Sequence, residues 1–315
     1  MEKLTIGVHV LAPTVQEVID RIRLAEEAGV DAVWMTKGGA HFDPLAVFAA
    51  AATQTSRIKF GTSIVPTFPI HPMALAQSAV VVDQLAPGRL RLGVGQSHKP
   101  TMEGMWGIPF ERPLEHLREY LTILKTLLTE GQVSFEGKRL TAKGQLPSKT
   151  QVTVMASALR KNGFRVCGEL ADGAISWVCP LPYLRDVAIP AIREGAERAG
   201  RTPPPLVAHI PVAVSEDADA VREAARRQIG FYPRVPFYSQ MFQDAGFPEA
   251  KDGQMSDRMI DALVVHGSAS EVQQRLREAA DYGAGEVLAM PLFPANDPGA
   301  FERTVRALGE LAQGR

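Results

Sequence analysis

The sequence predicts a (β/α)8 TIM barrel with insertions, on three observations. Apolar, β-rich runs alternate with amphipathic helical segments along nearly the whole chain. Eight such runs can be counted, and parallel strands with right-handed crossovers close naturally at that number. The 315 residues, 45% hydrophobic and 22% charged, hold enough apolar material for one large core. Length alone suggests two domains, but α/β barrels of this size form one unit, so residues 1–315 are read as a single domain. An open doubly wound sheet is the competing architecture.

The elements follow in order. LTIGVHVL (residues 4–11) lacks polar alternation, as a strand covered on both faces should. Thr14 and Glu17 have capping-box spacing; Val15, Val18, Ile19 and Ile22 follow at helical spacing, and Gly29 stops the helix. DAVWM (31–35), a helix over DPLAVFAAAATQT (43–55) and RIKFGTSIV (57–65) come next. Then follow a helix over 73–85, the strand RLRLGVG (89–95) and a helix over 113–128. QVTVMAS (151–157) leads into a helix from about 159, and DGAISWV (172–178) precedes a helix over 184–199. PLVAHIPVAV (205–214) is followed by a helix from about 217. Ser268 and Glu271 open a helix to Gly283; EVLAMPL (286–292) and a helix over 298–312 complete the pattern.

Two stretches break the rhythm. VSFEGKRLTAKG (133–144) reads as a hairpin turning at Glu136-Gly137. Residues 231–259 carry FYPRVPFYSQMF with no clean period, a long insertion expected to serve as a lid or pocket wall.

Composition excludes several functions. A net charge of −1 argues against nucleic acid as a partner, since phosphate backbones require a clustered basic excess. No apolar run reaches the roughly 18 residues of a membrane span. The start MEKLTIGVHV has no signal-peptide pattern, so the expected location is cytoplasmic. Cys167 and Cys179 cannot make a disulfide framework or metal knuckle, and are expected to be buried small hydrophobes. The seven histidines are scattered, so no metal is expected.

In a barrel the chemistry sits where strands end, at their C-terminal side. The candidates are therefore 10–13, 36–41, 63–72, 96–100, 156–163, 177–180, 214–216 and 290–291. Gly93-Val94-Gly95 resembles a dinucleotide fingerprint, but His98 occupies the third glycine position and no acidic residue closes a second strand. ASALRKNG (156–163) is more informative. Small residues admit a ligand to the main chain, the next helix exposes amide N–H groups, and two cations lie nearby, a set suited to phosphate. The alternative is an ordinary loop with solvated cations. Trp34 belongs inside a strand; Trp177 ends one, and either walls a ligand pocket or packs under a helix.

GTSIVPTFPIHP (61–72), with three prolines in seven positions, and DQLAPGRLRLGVG (83–95) resemble the luciferase-like monooxygenase superfamily. GELADGAISW (168–177) and VVHGSASEVQQRLREAADYGAGEVLAMP (264–291) extend the resemblance over nearly the whole chain. SHKPTMEGMWGIPFERPLEHLREYL (97–121) resembles the coenzyme F420-dependent oxidoreductase branch. The resemblance implies a non-prolyl cis peptide joining Ser63 to Ile64 behind the cofactor ring. Pro66, Pro69 and Pro72 would lower the unfolded-state entropy of that loop. It also implies cofactor contacts at Ala156, Ser157, Ala158, Leu159, Gly163 and Trp177. Gly93 and Gly95 would let the fourth strand pass close to the ring.

One departure matters: Lys37-Gly38 stands where many relatives carry Asp-His, so the usual acid is absent; His41 is read as a surface-loop histidine, with substitution for that acid as the alternative. His98, where some relatives carry glutamate, is the expected catalytic proton donor; otherwise it packs beneath residues 102–106. The resemblance thus implies hydride transfer between F420 and a small-molecule substrate, in a homodimer. The alternatives are an FMN-dependent monooxygenase supplied by a cofactor-reducing partner enzyme, and a non-catalytic flavin-binding protein.

Overall fold

All eight apolar runs form parallel strands of one closed sheet in the computed structural model, which describes residues 4–38 and 41–314. They are β1 (Thr5–His9), β2 (Ala32–Met35), β3 (Lys59–Thr62), β4 (Leu90–Gly95), β5 (Thr153–Ser157), β6 (Gly173–Ile175), β7 (Leu206–Val214) and β8 (Glu286–Pro291). Neighbours pair in sequence order, and β8 closes on β1 with Thr5 opposite Glu286 and Val8 opposite Ala289. This is the (β/α)8 barrel that the alternating runs predict, not an open sheet.

Local chemistry sets the connections. Thr14 caps the helix Val15–Ala28, and Gly29 ends it in the left-handed conformation. Ser268 and Glu271 make a complete capping box on the helix Ala269–Glu278. That helix stops five residues short of Gly283. The helix after β5 begins at Lys161, later than its sequence suggests, and its Arg160 N-cap supplies no side-chain bond. The hairpin pairs Gln132–Glu136 with Thr141–Gln145. Residues 231–259 are not a loop: Pro236–Asp244 is an α-helix flanked by 3-10 turns at Tyr232–Arg234 and Pro248–Asp252. Prolines that start these turns hide the helical period from the sequence.

The core lies in two layers. A large cluster running from Ile6 to Ala312 fills the space between the sheet's outer face and the helices. A smaller one fills the barrel itself: Ala32, Trp34, Met155, Ile175, Val207 and Leu288. Trp34 is fully buried, and a Cβ placed on Gly7 or Gly61 would collide with its indole. Two glycines on the flanking strands therefore make room for one tryptophan. Below it, Trp34 Nε1 donates to Glu286 Oε1 (3.0 Å), and Arg91 forms a two-pronged ion pair with the same carboxylate. The Arg91 guanidinium lies 4.4 Å from the indole centroid.

Breaking a buried pair on one side leaves an unpaired charge, at a cost of about 3–5 kcal/mol, whereas an apolar replacement of both partners is far better tolerated. We expect Glu286→Ala to lower the unfolding free energy measured in urea by that order, and the double variant Arg91→Met/Glu286→Leu to recover part of the loss. A double variant no more stable than Glu286→Ala would contradict this account of the barrel floor.

Candidate active site

Strand side chains alternate, so the residues two positions beyond the barrel plug face the same way and emerge at the C-terminal mouth. Beyond Val207 stands His209, beyond Leu288 Met290, beyond Met155 Ser157, and beyond Ile175 Trp177. Together with His9 they line a cavity of about 770 Å³. The sequence alone missed His9 and His209, because only barrel closure brings β1 and β7 to one place. A histidine inside the apolar run LVAHIPVAV was the available signal.

The third strand breaks where the proline-rich stretch begins. The Ser63–Ile64 peptide is cis, and the chain resumes pairing at Val65–Pro66 beside β4. The end of β2 holds this bulge: Lys37 N–H donates to Ile64 O (3.1 Å) and Thr36 Oγ1 to Ser63 O (2.7 Å). Ser63, Ile64 and Pro66 line the cavity. Because the Thr36 hydroxyl proton goes to Ser63 O, Thr36 Oγ1 accepts from His9 Nε2 (3.2 Å). Neutral His9 thus carries its proton on Nε2 and its lone pair on Nδ1.

Of the other expected site residues, Ser157, Ala158, Leu159, Gly163, Trp177 and His98 line the cavity. Gly93, Gly95 and Ala156 do not. Ala156 is fully buried below, its carbonyl accepting from Cys167 Sγ (3.4 Å). A Cβ on Gly95 would strike Ser157 Oγ and press on Ile64, and one on Gly93 would strike Thr62 O. These glycines keep β4 out of the way of residues that do face the space. The Ala158 N–H is already donated to Ile175 O (3.0 Å), so it is not open to a ligand. Amides of an uncapped helix start lie just beyond, at Lys161, Asn162 and Gly163. A Cβ on Gly163 would come within 3.2 Å of the Ala158 Cβ, so the wall there is shallow.

His98 precedes the short helix Lys99–Gly104 and packs edge-on against Tyr238 (5.3 Å) and Tyr232 (6.4 Å). Both tyrosines come from the 231–259 insertion, which is therefore a wall of the cavity. Tyr232 also stands 5.7 Å edge-on to Trp177, whose ring lies 4.2 Å from His209. Arg160 Nη2 meets Asp244 Oδ2 at 3.5 Å and ties the insertion to the β5 loop. His41, the candidate substitute acid, is exposed beside Phe42 and Phe293 in a separate depression. Gly39 and Ala40 of that loop lie outside the described residues.

The imidazoles of the site are held neutral. Burial pushes His9 down to about 4, helped by His41, and lowers His98. Burial holds His209 well below the usual value, with His9 adding to the effect; its Nε2 has no hydrogen-bond partner. Cys167 and Cys179 are buried free thiols, both pushed up to about 12 by burial. Among the described residues no cluster could hold a metal ion, and no helix is long and apolar enough to cross a membrane.

A family model described as luciferase-like monooxygenase matches residues 3–286. An F420-dependent glucose-6-phosphate dehydrogenase of Nakamurella multipartita is 31% identical over 270 residues, covering 81% of this chain and 77% of that one. The coenzyme F420-dependent tetrahydromethanopterin reductase of Methanopyrus kandleri superposes with a TM-score of 0.80 over 98% of each chain, at 21% identity. The oxygenating constituent of 3,6-diketocamphane monooxygenase from Pseudomonas putida, in complex with FMN, gives 0.75 over 98% of this chain and 97% of that one, at 18% identity. At these identities the two structures show a shared fold.

The neutral histidines set a pH dependence. His9 and His209 titrate lower in the folded chain than the 6.5 of an exposed histidine, so between about 4 and 6.5 the unfolded chain binds more protons. The contribution of these histidines is then full above about 6.5 and falls as pH drops, for His9 until about 4. Urea unfolding of the protein at pH 7, 5.5 and 4.5 should show this decline, and His9→Gln/His209→Gln should flatten it. An unchanged slope in the double variant would remove the histidines as its source.

Proposed function

The chain belongs to the luciferase-like monooxygenase family, and we propose that it is an oxidoreductase moving a hydride between coenzyme F420 and a small organic substrate. The observation that carries this reading is a phosphate-ready corner continuous with an aromatic-walled space. Open amides at 161–163, the Lys161 ammonium and the small residues Ser157, Ala158 and Gly163 form that corner. The similarity to an F420-dependent dehydrogenase supports F420 over FMN, which shares a three-ring head and a phosphate. A bound deazaflavin would supply the hydride-carrying ring carbon.

The chain's own residues bind, orient and manage the proton. Amides of 161–163 and Lys161 hold the phosphate; Ser63 and Ile64 back the ring, with β4 kept clear by Gly93 and Gly95. Trp177, Tyr232 and Tyr238 exclude water from the reacting atoms. His98 carries the proton. Its burial keeps it neutral at pH 7, so it takes a proton from an alcohol as hydride leaves, and returns it in the reverse direction.

Titration followed by tryptophan fluorescence tests the cofactor, with Trp177 in the wall as reporter. F420 should quench and saturate more tightly than FMN. Ala158→Phe should weaken that binding by roughly 10- to 100-fold with unchanged circular dichroism. Tight FMN binding without F420 binding would favour a monooxygenase fed by a flavin-reducing partner; binding of neither would sink the oxidoreductase reading.

His98→Gln should bind cofactor normally and lose about 10²–10⁴ in turnover. In the wild type, alcohol oxidation should hold level through neutral pH and decline only as the imidazole protonates below 6.5. Full turnover in His98→Gln would move the proton to another group.

A further inference from the structure

The barrel mouth carries a second depression that the proposed chemistry does not use. It holds about 460 Å³ and shares no described lining residue with the main cavity. Its walls are the chain just beyond three strand ends: Leu11 after β1, His41 and Phe42 after β2, and Phe293 after β8. Leu11 and Phe293 stay 39% and 38% exposed, an apolar lip facing water. Arg21 reaches in from the helix Val15–Ala28, and its guanidinium is pinned on three sides. Its Nη1 donates to Leu11 O, and its Cζ lies 4.4 Å from the Phe301 ring centroid and 5.7 Å from that of Phe293. Those two rings are stacked, 6.4 Å apart and inclined by 11°. Nε and Nη2 have no hydrogen-bond partner among the described residues, and no described carboxylate pairs with Arg21. Glu17, one turn earlier, accepts instead from Thr14 Oγ1 (3.1 Å). The result is a fixed, partly buried cation with unused donors, set in an apolar hollow.

We propose that this depression is a second ligand site, for a small amphipathic carboxylate. The carboxylate bonds to Arg21 through Nε and Nη2, and the hydrocarbon is covered by Leu11, Phe42 and Phe293. An ion pair between two mobile surface groups is worth little, because ordering them offsets the attraction. Here one partner is already ordered, and its planar fork matches two carboxylate oxygens. The apolar lip supplies the other half of the recognition. A bare anion gains the fork alone and an uncharged analogue the lip alone, so selectivity requires both. No thiol, hydroxyl or carboxylate side chain is among the described lining residues, so the hollow holds its ligand without transforming it.

The probes are 3-phenylpropionate, its uncharged amide and acetate, each titrated into the whole chain by calorimetry. The first should saturate a single site with a Kd of about 1 mM or tighter. The amide and acetate should each bind at least about tenfold more weakly. Arg21→Met should cost 3-phenylpropionate about tenfold or more in affinity, with circular dichroism unchanged. Lys161→Met, at the phosphate corner of the main cavity, should leave that affinity within about twofold. Should Arg21→Met fail to fold, Phe293→Ala asks the same question of the apolar side, with an expected loss of about threefold or more. Absence of saturation, equal binding of the amide, or full affinity in the folded Arg21 or Phe293 variant would each overturn the proposal. So would a loss confined to Lys161→Met, which would put the anion in the main cavity.

Discussion

The contact on which the rest of the molecule depends is the indole of Trp34 lying across the barrel interior. It fits because β1 and β3 carry glycine at residues 7 and 61, and it is fixed because Glu286 accepts its N–H while Arg91 covers its face. A barrel narrow enough to be filled by side chains is a packed core, not a pore. With its floor closed, the side chains one alternation higher have nowhere to pack except around an open space. The cavity is the continuation of the core by two residues along each strand.

That origin explains the chemistry of the space. Its walls are strand ends and aromatic rings, so groups placed there lose water, and ionisable ones stay uncharged unless given a partner. The three histidines take the first course and remain neutral. Lys37 and Arg160 take the second, each with its own carboxylate. At the corner of residues 161–163 a helix starts without a side-chain cap, and its first amides stay open.

Much of this was legible in the sequence. Strands buried on both faces announce themselves as unbroken apolar runs, and all eight stand where those runs lie. Caps at Thr14 and Ser268 were readable because a hydroxyl and a glutamate three apart satisfy the same amides wherever they occur. The helix Pro236–Asp244 was not, since its prolines and crowded aromatics show no period. Neither was the pairing of His9 with Thr36 or the approach of His9 to His209, which depend on closure between strands far apart in sequence. The Ser63–Ile64 bulge was reached through resemblance, and the physical reason it stands there, the bonds from Thr36 and Lys37, belongs to the folded chain alone. Ala158 stands in the cavity wall as expected, but that its amide is donated to Ile175 O depends on strand pairing the sequence does not display.

The two cysteines carry a practical consequence. A thiol attacks alkylating reagents only as thiolate, and burial leaves neither Cys167 nor Cys179 with an appreciable thiolate fraction near neutrality. Toward maleimides the native chain is therefore chemically silent. A single cysteine introduced on the exposed side of the Pro236–Asp244 helix would be the sole site of attachment in an otherwise unaltered protein. A dye placed there would report how the aromatic wall moves as the cavity fills, without any native residue having first to be removed.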